Sequence, residues 1–181
     1  MSRLSNYIGY QVIKRRKKNI QRDKGVQNFD TANSAVIVFD TEIPDSCRKI
    51  KEFVKFLKSN DIKTGVIGLV AQKETPEDLL EWQNFKFLTK RDITFYGKPK
   101  KDVLENFFNL EPELLFVISF KHNITIEFLT QLSKAKFKVG CFKEEENDLD
   151  LMIKPLEPEC KVGFFLDQVK HYVKILTPSN Q

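Results

Sequence analysis

Apolar and polar residues alternate along the chain in blocks that have the lengths of strands and helices. Continuous apolar runs such as Ala35–Phe39 and Leu114–Ile118 are rich in β-branched residues, which is typical of strands covered on both faces. Between such runs, apolar residues recur at every third or fourth position, as in helices with one buried face. Strands that alternate with helices of about ten to fifteen residues predict right-handed crossovers and a mostly parallel sheet. We therefore expect a three-layer α/β domain, either flavodoxin-like or Rossmann-like.

The pattern assigns most segments to an element. Strands are predicted at Ala35–Phe39, Gly65–Ala71, Phe85–Leu88, Ile93–Tyr96, Leu114–Ser119, Phe137–Phe142 and Leu149–Ile153, the last at an edge of the sheet. Helices are predicted after a cap at Asp45, over Pro76–Gln83, Asp102–Leu110 and Ile124–Lys134, and from Val162 to Leu176 before Pro178. Phe107 and Phe165 lie at the centres of apolar helical faces, so we expect both to be buried. The acidic run 144–148 is expected to be a solvated loop.

Charge is distributed unevenly along the 181 residues. Residues 1–34 hold eight basic and two acidic side chains, a net charge of +6, whereas the rest holds 22 basic and 23 acidic ones. The net charge of +5 therefore comes from the N-terminal segment. We divide the chain into a basic helical arm and linker at 1–34 and an α/β domain at 35–181.

The basic arm is the strongest signal outside the predicted core. Its run Lys14-Arg15-Arg16-Lys17-Lys18 follows a stretch in which Leu4, Tyr7, Ile8 and Val12 can share one helical face. Such a helix suits a phosphate backbone, an anionic membrane surface or an acidic protein groove. The narrow apolar face favours RNA or a ribonucleoprotein over a membrane. The alternative is a helix that docks on the domain and keeps its charges in water.

Composition and cysteine usage indicate a cytoplasmic protein. Cys47, Cys141 and Cys160 are far apart and form no CxxC pair, which fits reduced thiols. We expect Cys141 to be buried in the core. The longest apolar runs have the length of strands, far below the roughly 20 residues of a membrane helix, so no transmembrane span is expected.

The turn after the first predicted strand argues against a standard nucleotide cofactor. This turn, 40–44, contains no glycine, and neither GxGxxG nor GxxxxGK[ST] occurs in a chain with seven glycines. We predict no cofactor. No metal site is expected either, because neither histidines nor paired acidic residues have ligand spacing.

A second hypothesis places an enzyme site at the carboxyl ends of the strands. Asp40 and Glu42 after a strand resemble the opening of phosphotransferases of the haloacid dehalogenase kind, in which Ser119 would match a later hydroxyl. The second position is Glu rather than Asp, and no paired acidic residues follow a later strand. His122 also follows a predicted strand. The enzyme hypothesis would be favoured if one cavity were lined by all four of Asp40, Lys98, Ser119 and His122. We expect at most two of them to line the same cavity.

Lys98 lies in the loop Gly97-Lys98-Pro99-Lys100, which leads into a predicted helix. Ammonium groups beside a helix N-terminus could bind an anion. The alternative, which we favour, is a rigid turn formed by Gly97 and Pro99 with solvated lysines.

Three strings identify a resemblance to a known family: Phe95-Tyr96-Gly97-Lys98-Pro99-Lys100, Ala135-Lys136-Phe137-Lys138-Val139-Gly140 and Gln168-Val169-Lys170-His171-Tyr172. Together they resemble a conserved bacterial family of unknown function, over nearly the full length. The resemblance implies one α/β domain with a basic N-terminal helix in a bacterial cytoplasm. It implies no substrate, cofactor or catalytic residue. The leading hypothesis is thus a non-enzymatic binding or accessory protein that engages an anionic partner through the arm.

Overall fold

The computed structural model describes residues 3–82, 85–100, 107, 111–144, 147–154 and 161–178. Its strands are β1 (Ser34–Asp40), β2 (Lys63–Leu69), β3 (Phe85–Leu88), β4 (Leu114–Ile118), β5 (Phe137–Cys141) and β6 (Leu151–Ile153). Its helices are α1 (Arg3–Lys17), α2 (Ser46–Ser59), α3 (Glu77–Leu80), α4 (Ile124–Leu132) and α5 (Val162–Ile175). A single 3₁₀ turn spans Lys90–Asp92.

The strands form one sheet in the order β3-β2-β1-β4-β5-β6, and every neighbouring pair is parallel. The three-layer α/β prediction is therefore confirmed. The order is that of the Rossmann fold and not of flavodoxin. It reverses direction between β1 and β4, so the carboxyl ends of these two strands flank the switch point of the sheet.

Helices cover both faces of the sheet, which explains why its central strands are apolar throughout. On one face, α2 and α5 bury Phe53 and Phe165 against Phe116 of β4 and its neighbours. On the other face, α4 buries Leu129 against Val38 and the adjoining strands. Phe107 and Phe165, predicted to be buried, are 4% and 2% exposed. Cys141 is also buried, as expected.

Most predicted strands are found, with ends that differ by one or two residues, but the predicted strand Ile93–Tyr96 is wrong. Thr89 caps the 3₁₀ turn through hydrogen bonds with Arg91 and Asp92. The following segment, 93–99, is a small hairpin outside the sheet, closed by an antiparallel bridge between Ile93 and Pro99. Gly97 lies in the turn with a φ of 88°. We call this segment the 93–99 hairpin.

Two helix predictions need comment. Asp45 occupies the N-cap position of α2, as predicted, but it has a φ of 60° and its side chain makes no capping hydrogen bond. Its carboxylate instead lies 3.2 Å from a guanidinium nitrogen of Arg48. The predicted helix 102–110 lies outside the described residues except for Phe107, which is helical.

The N-terminal helix forms as predicted, but only Ile8 and Val12 of its predicted apolar face are half-buried, and Val12 packs beside Ile13. Leu4 and Tyr7 are 68% and 61% exposed, whereas Ser5, Gly9 and Ile13 are buried against α4. Ile13 packs with Ile124, Phe128 and Leu132 of that helix. The structure therefore shows the docked helix that the sequence left as an alternative.

The polar segment 27–34 also packs against the domain. Phe29 and Ala32 are 5% exposed and belong to the core between the sheet and α2. The amide of Asn28 donates a hydrogen bond of 3.0 Å to the backbone oxygen of Leu176, just after α5. The segment thus connects α1 to β1 along the domain surface with its own buried side chains.

Candidate functional site

The last two turns of α1 carry a positively charged surface. Lys14, Arg15, Arg16 and Lys18 are exposed. Arg15 and Arg16 line an open groove of about 630 Å³ between α1 and α4, and its far side is formed by Lys134. Its apolar lining comes from Val12, Ile20 and Leu132. The name basic surface is used below for Lys14, Arg15, Arg16, Lys18, Lys98 and Lys134.

Lys98 belongs to this surface because the 93–99 hairpin lies beside α1. Partial burial lowers the pKa of Lys98, and the nearby charge of Arg16 lowers it further. The backbone N–H of Lys98 donates a hydrogen bond of 3.0 Å to Oγ1 of Thr94. Lys98 thus sits in a closed turn, as in the alternative that the sequence favoured, and adds its charge to that of α1.

Lys17 has a different environment from the rest of the basic run. Its Nζ lies 3.1 Å from Oδ1 of Asp148. Asp148 also accepts a hydrogen bond of 2.5 Å from Nζ of Lys138, whose side chain is fully buried. Arg22 pairs with Asp150. These five residues, Lys17, Arg22, Lys138, Asp148 and Asp150, are named the Lys138 cluster, and for Asp148 the prediction of a solvated loop is wrong.

The Lys138 cluster fastens the N-terminal segment to the strands at the far end of the sheet. Nε of Arg22 donates a hydrogen bond of 2.5 Å to the oxygen of Ala135, and its NH2 nitrogen donates one of 3.0 Å to that of Lys136. Nζ of Lys138 donates one of 2.7 Å to the oxygen of Thr130 in α4. Among the described residues, the contacts of the cluster join the N-terminal segment to the α/β domain, so we assign it a structural role.

Burial and charge pairing shift the pKa values of Lys138 and Asp148 in opposite directions. Burial lowers the pKa of Lys138 to about 8, although Asp148 favours the charged ammonium. Burial also opposes ionisation of Asp148, but Lys138 and Lys17 more than compensate and lower the pKa of Asp148. At neutral pH the cluster therefore holds a buried cation in contact with an ionised carboxylate.

Asp40 and Ser119 follow β1 and β4 and so flank the switch point of the sheet. Oδ1 of Asp40 accepts a hydrogen bond of 2.9 Å from the backbone N–H of Glu42. The Ser119 hydroxyl, 1% exposed as a residue, donates one of 2.9 Å to the oxygen of Lys121. Both hydrogen bonds close turns of the backbone. A phosphoryl-transfer role would require each group to leave its turn.

Two of the cavities at this edge of the sheet are lined by Asp40, Ser119 or His122. The first, of about 360 Å³, is lined by Asp40, Glu42 and Lys90 with residues of the 93–99 hairpin and the start of α4, and is named the edge cleft. The second, of about 280 Å³, is lined by Ser119, His122 and Lys143 among others. Ser119 and His122 thus share one cavity, Asp40 lines the other, and Lys98 lines neither.

His122 makes its contacts with α1. Its ring stacks on that of Tyr10 with centroids 5.7 Å apart, and the Tyr10 hydroxyl oxygen lies 3.4 Å from both ring nitrogens. His171, the other histidine, is exposed on α5, where its ring meets the edge of Tyr172. Neither arrangement is that of a catalytic base held against a nucleophile.

Comparison with protein families decides where the chain belongs, because one family model matches residues 6–176. The chain belongs to the family of unknown function DUF6913. The matched range includes most of α1, the edge cleft and the Lys138 cluster, so the DUF6913 match extends over the docked helix as well as the sheet. No curated protein and no solved structure matches the chain.

Within the part of this DUF6913 chain that the structure describes, no helix has the length and apolar character needed to cross a membrane. The longest helix among the described residues, α1, has 15 residues, and its last four are all basic.

Sequence reasoning missed several residues around these sites in the DUF6913 chain. Asn123 caps α4, with its side-chain oxygen accepting hydrogen bonds from the N–H groups of Thr125 and Ile126. An Asn followed by an apolar helical segment is a recognisable cap signal. Glu127 is 4% exposed and pairs with Lys143 and Gln131, a burial that no local pattern indicates.

Proposed function

We propose that this protein is a non-catalytic, cytoplasmic binding protein that engages RNA, alone or in a ribonucleoprotein, through the basic surface. The observation that carries the proposal is the groove between α1 and α4, where Arg15 and Arg16 face Lys134 across an apolar floor. A concave surface with cations on its rims suits a phosphate backbone that runs along it.

The state of the cations supports this proposal. Among the residues that the structure describes, no carboxylate lies within ion-pair distance of Lys14, Arg15, Arg16 or Lys18. Lys134 is paired with Glu111 at 2.6 Å, but both side chains are largely exposed, so water and salt weaken this pair. Most of the charge of the basic surface is therefore available to an anionic partner. Arginine also suits phosphate, because its guanidinium can donate two parallel hydrogen bonds.

The orientation of α1 favours RNA over a membrane surface. Gly9 and Ile13 face α4, so the buried side of the helix cannot also enter a bilayer. The exposed apolar residues Leu4 and Tyr7 lie near the start of the helix. Ten residues of helix separate Leu4 from Lys14, a distance of about 15 Å at the usual rise. A membrane-bound helix usually combines its apolar and basic groups along its whole length.

A second candidate function is a small-molecule or phosphoryl-group enzyme at the carboxyl edge of the sheet. One observation favours it: the strand order puts Asp40 and Ser119 on either side of the switch point, where α/β proteins bind ligands. The hydrogen bonds that hold both side chains in turns argue against it, as does their division between two cavities. We therefore rank it second.

The test is the salt dependence of RNA binding. We expect the protein to bind a fluorescent single-stranded RNA with an affinity that falls steeply with salt, because bound cations displace counterions. Replacing Lys14, Arg15, Arg16 and Lys18 together by Gln should reduce the slope of log K against log salt concentration by up to about 3, since each phosphate contact contributes about 0.7. Lys17 is left unchanged because it belongs to the Lys138 cluster.

The matched control changes four exposed lysines on other elements, Lys55, Lys58, Lys63 and Lys86, to Gln, which removes the same charge. We expect this variant to keep most of the wild-type slope. Equal loss in both variants would show that only net charge matters and would contradict the proposal. The same two variants, measured with vesicles containing anionic lipid, distinguish a membrane from RNA: preferential binding to vesicles would overturn the RNA proposal.

A further inference from the structure

The edge cleft lies where a sheet of this order places a ligand. Its floor is formed by Leu69, Val70 and Ala71 at the carboxyl end of β2, and Asp40 and Glu42 come from the end of β1 next to it. Its volume of about 360 Å³ is within the range of small-molecule sites. The cleft is separate from the basic surface and plays no part in the function proposed above.

The outer wall of the cleft carries an exposed aromatic ring on an anchored hairpin. Phe95 lines the cleft and is 72% exposed. The hairpin that carries it is closed by a 2.8 Å hydrogen bond from the N–H of Thr94 to the oxygen of Lys98. The next residue, Tyr96, packs against Phe128 with ring centroids 6.3 Å apart. A large apolar ring held in water by an anchored loop is a suitable surface for stacking of a planar ligand.

The polar groups of the cleft select against a phosphate. Asp40 and Glu42 are both acceptors when ionised, and Oδ2 of Asp40 is not used in its turn. The N–H groups of Thr125 and Ile126 at the start of α4 already bond to the side chain of Asn123. Of the described residues on the lining, Lys90 alone is basic. An anion would therefore meet two carboxylates and a helix end whose donors are occupied, whereas hydroxyl groups could donate to the carboxylates.

We propose that the edge cleft binds a ribonucleoside, with its base stacked on Phe95 and its ribose hydroxyls donating to Asp40 and Glu42. Pairing of ribose hydroxyls with a carboxylate at the end of a strand is the physical principle by which many α/β proteins hold this sugar. The apolar floor at Leu69–Ala71 covers the remaining face of the ligand.

The experiment measures binding of adenosine, guanosine, cytidine and uridine to the full chain by calorimetry and by NMR shifts of the cleft. We expect saturable binding of at least one of them. For that nucleoside, the 3′-monophosphate should bind at least about tenfold more weakly, because its dianion faces the carboxylates. Phe95→Ser should weaken binding by roughly 5- to 150-fold, the range observed for loss of one base–aromatic stack. Glu42→Gln should weaken binding and reduce the discrimination against the 3′-monophosphate.

Two matched variants serve as controls. Phe164→Ser removes another exposed aromatic ring, from α5, and Glu81→Gln removes an exposed carboxylate near α3. Both should bind the nucleoside as the wild type does, and so should the Gln variant of the basic surface. Failure of all four nucleosides to bind, equal binding of the 3′-monophosphate, or unchanged binding by Phe95→Ser would each overturn the proposal. None of these outcomes affects the salt dependence of RNA binding, so the two proposals fail separately.

Discussion

Gly9 approaches the backbone oxygen of Tyr96 so closely that a β-carbon at Gly9 would lie 2.5 Å from that oxygen. The same β-carbon would lie 2.8 Å from Cγ1 of Ile124. Three segments meet at this point: α1, the 93–99 hairpin and α4. Because the nearest atom belongs to the backbone, no side-chain rotation can make room for a larger residue.

Gly9→Ala tests whether α1 is docked in solution. In a helix free in water this change would stabilise the helix by up to about 1 kcal/mol. In the docked helix we expect it to destabilise the protein by about 1–3 kcal/mol, because the methyl group forces a backbone shift. Urea unfolding shows whether Gly9→Ala raises or lowers the free energy of unfolding. Gly163→Ala in α5 is the matched control, since its β-carbon would meet only the flexible side chain of Lys49 at 3.4 Å. A more stable Gly9→Ala protein would show that α1 is detached.

Phe165→Ala should cost about 3–5 kcal/mol of unfolding free energy, because the Phe165 ring is buried between α5 and the sheet. The adjacent Phe164 is 45% exposed, so Phe164→Ala should cost less than about 1 kcal/mol. Thermal or chemical unfolding of the pair checks the assignment of faces. Equal effects of the two substitutions would show that the orientation of α5 is wrong.

Burial of Lys138 should make the free energy of unfolding depend on pH in an unusual way. Its pKa is lowered from the ordinary 10.5 to about 8 in the folded protein, so between these pH values the unfolded chain holds a proton that the folded one has released. The free energy of unfolding should therefore rise with pH through this window, by on the order of 3 kcal/mol. Lys138→Met removes this contribution. The measurement is the difference between the unfolding free energies of wild type and variant at pH 7, 9 and 10.5; a difference that stays constant contradicts the prediction.

Arg22→Ala should destabilise the protein by roughly 2–5 kcal/mol, because it removes a buried guanidinium that pairs with Asp150 and donates to the backbone oxygens of Ala135 and Lys136. Arg91→Ala is the control. Arg91 pairs with Glu74 at 2.7 Å, but both side chains are well exposed, and the loss should be below about 1 kcal/mol. If the two variants unfold at the same urea concentration, the cluster does not fasten the N-terminal segment.

The central strands could be predicted because a strand covered on both faces leaves a continuous apolar run such as Ala35–Phe39. The buried face of α1 could not be predicted. The apolar pattern predicted that Leu4 and Tyr7 are buried, whereas the close approach of α1 to the hairpin requires the small Gly9 on the buried face. The sequence Ile93–Tyr96 has strand composition, but Thr89 and Gly97 fold it into a capped turn and a hairpin. In this segment the turn residues determine the conformation, and strand propensity does not.

The candidate sites, too, could be predicted only in part from the sequence. The positive charge of Lys14–Lys18 is visible in the sequence, and so is the acidic turn after β1. The ion pair between Lys17 and Asp148 cannot be predicted from the sequence, because these residues are more than a hundred positions apart. Nor can the sequence indicate that Phe95 stands exposed, since its exposure depends on how Tyr96 is anchored.

The docking of α1 has a consequence for synthesis on the ribosome. Arg22 reaches its partner at Ala135 across 113 positions, so this contact cannot form until α4 and Ala135 have been translated. At about 5–20 residues per second, the wait is roughly 5–25 s. During that interval α1 is a basic peptide with its inward face uncovered, and isolated helices of this length are marginally stable. The inward face of α1 is therefore exposed on the nascent chain before the finished protein encloses it.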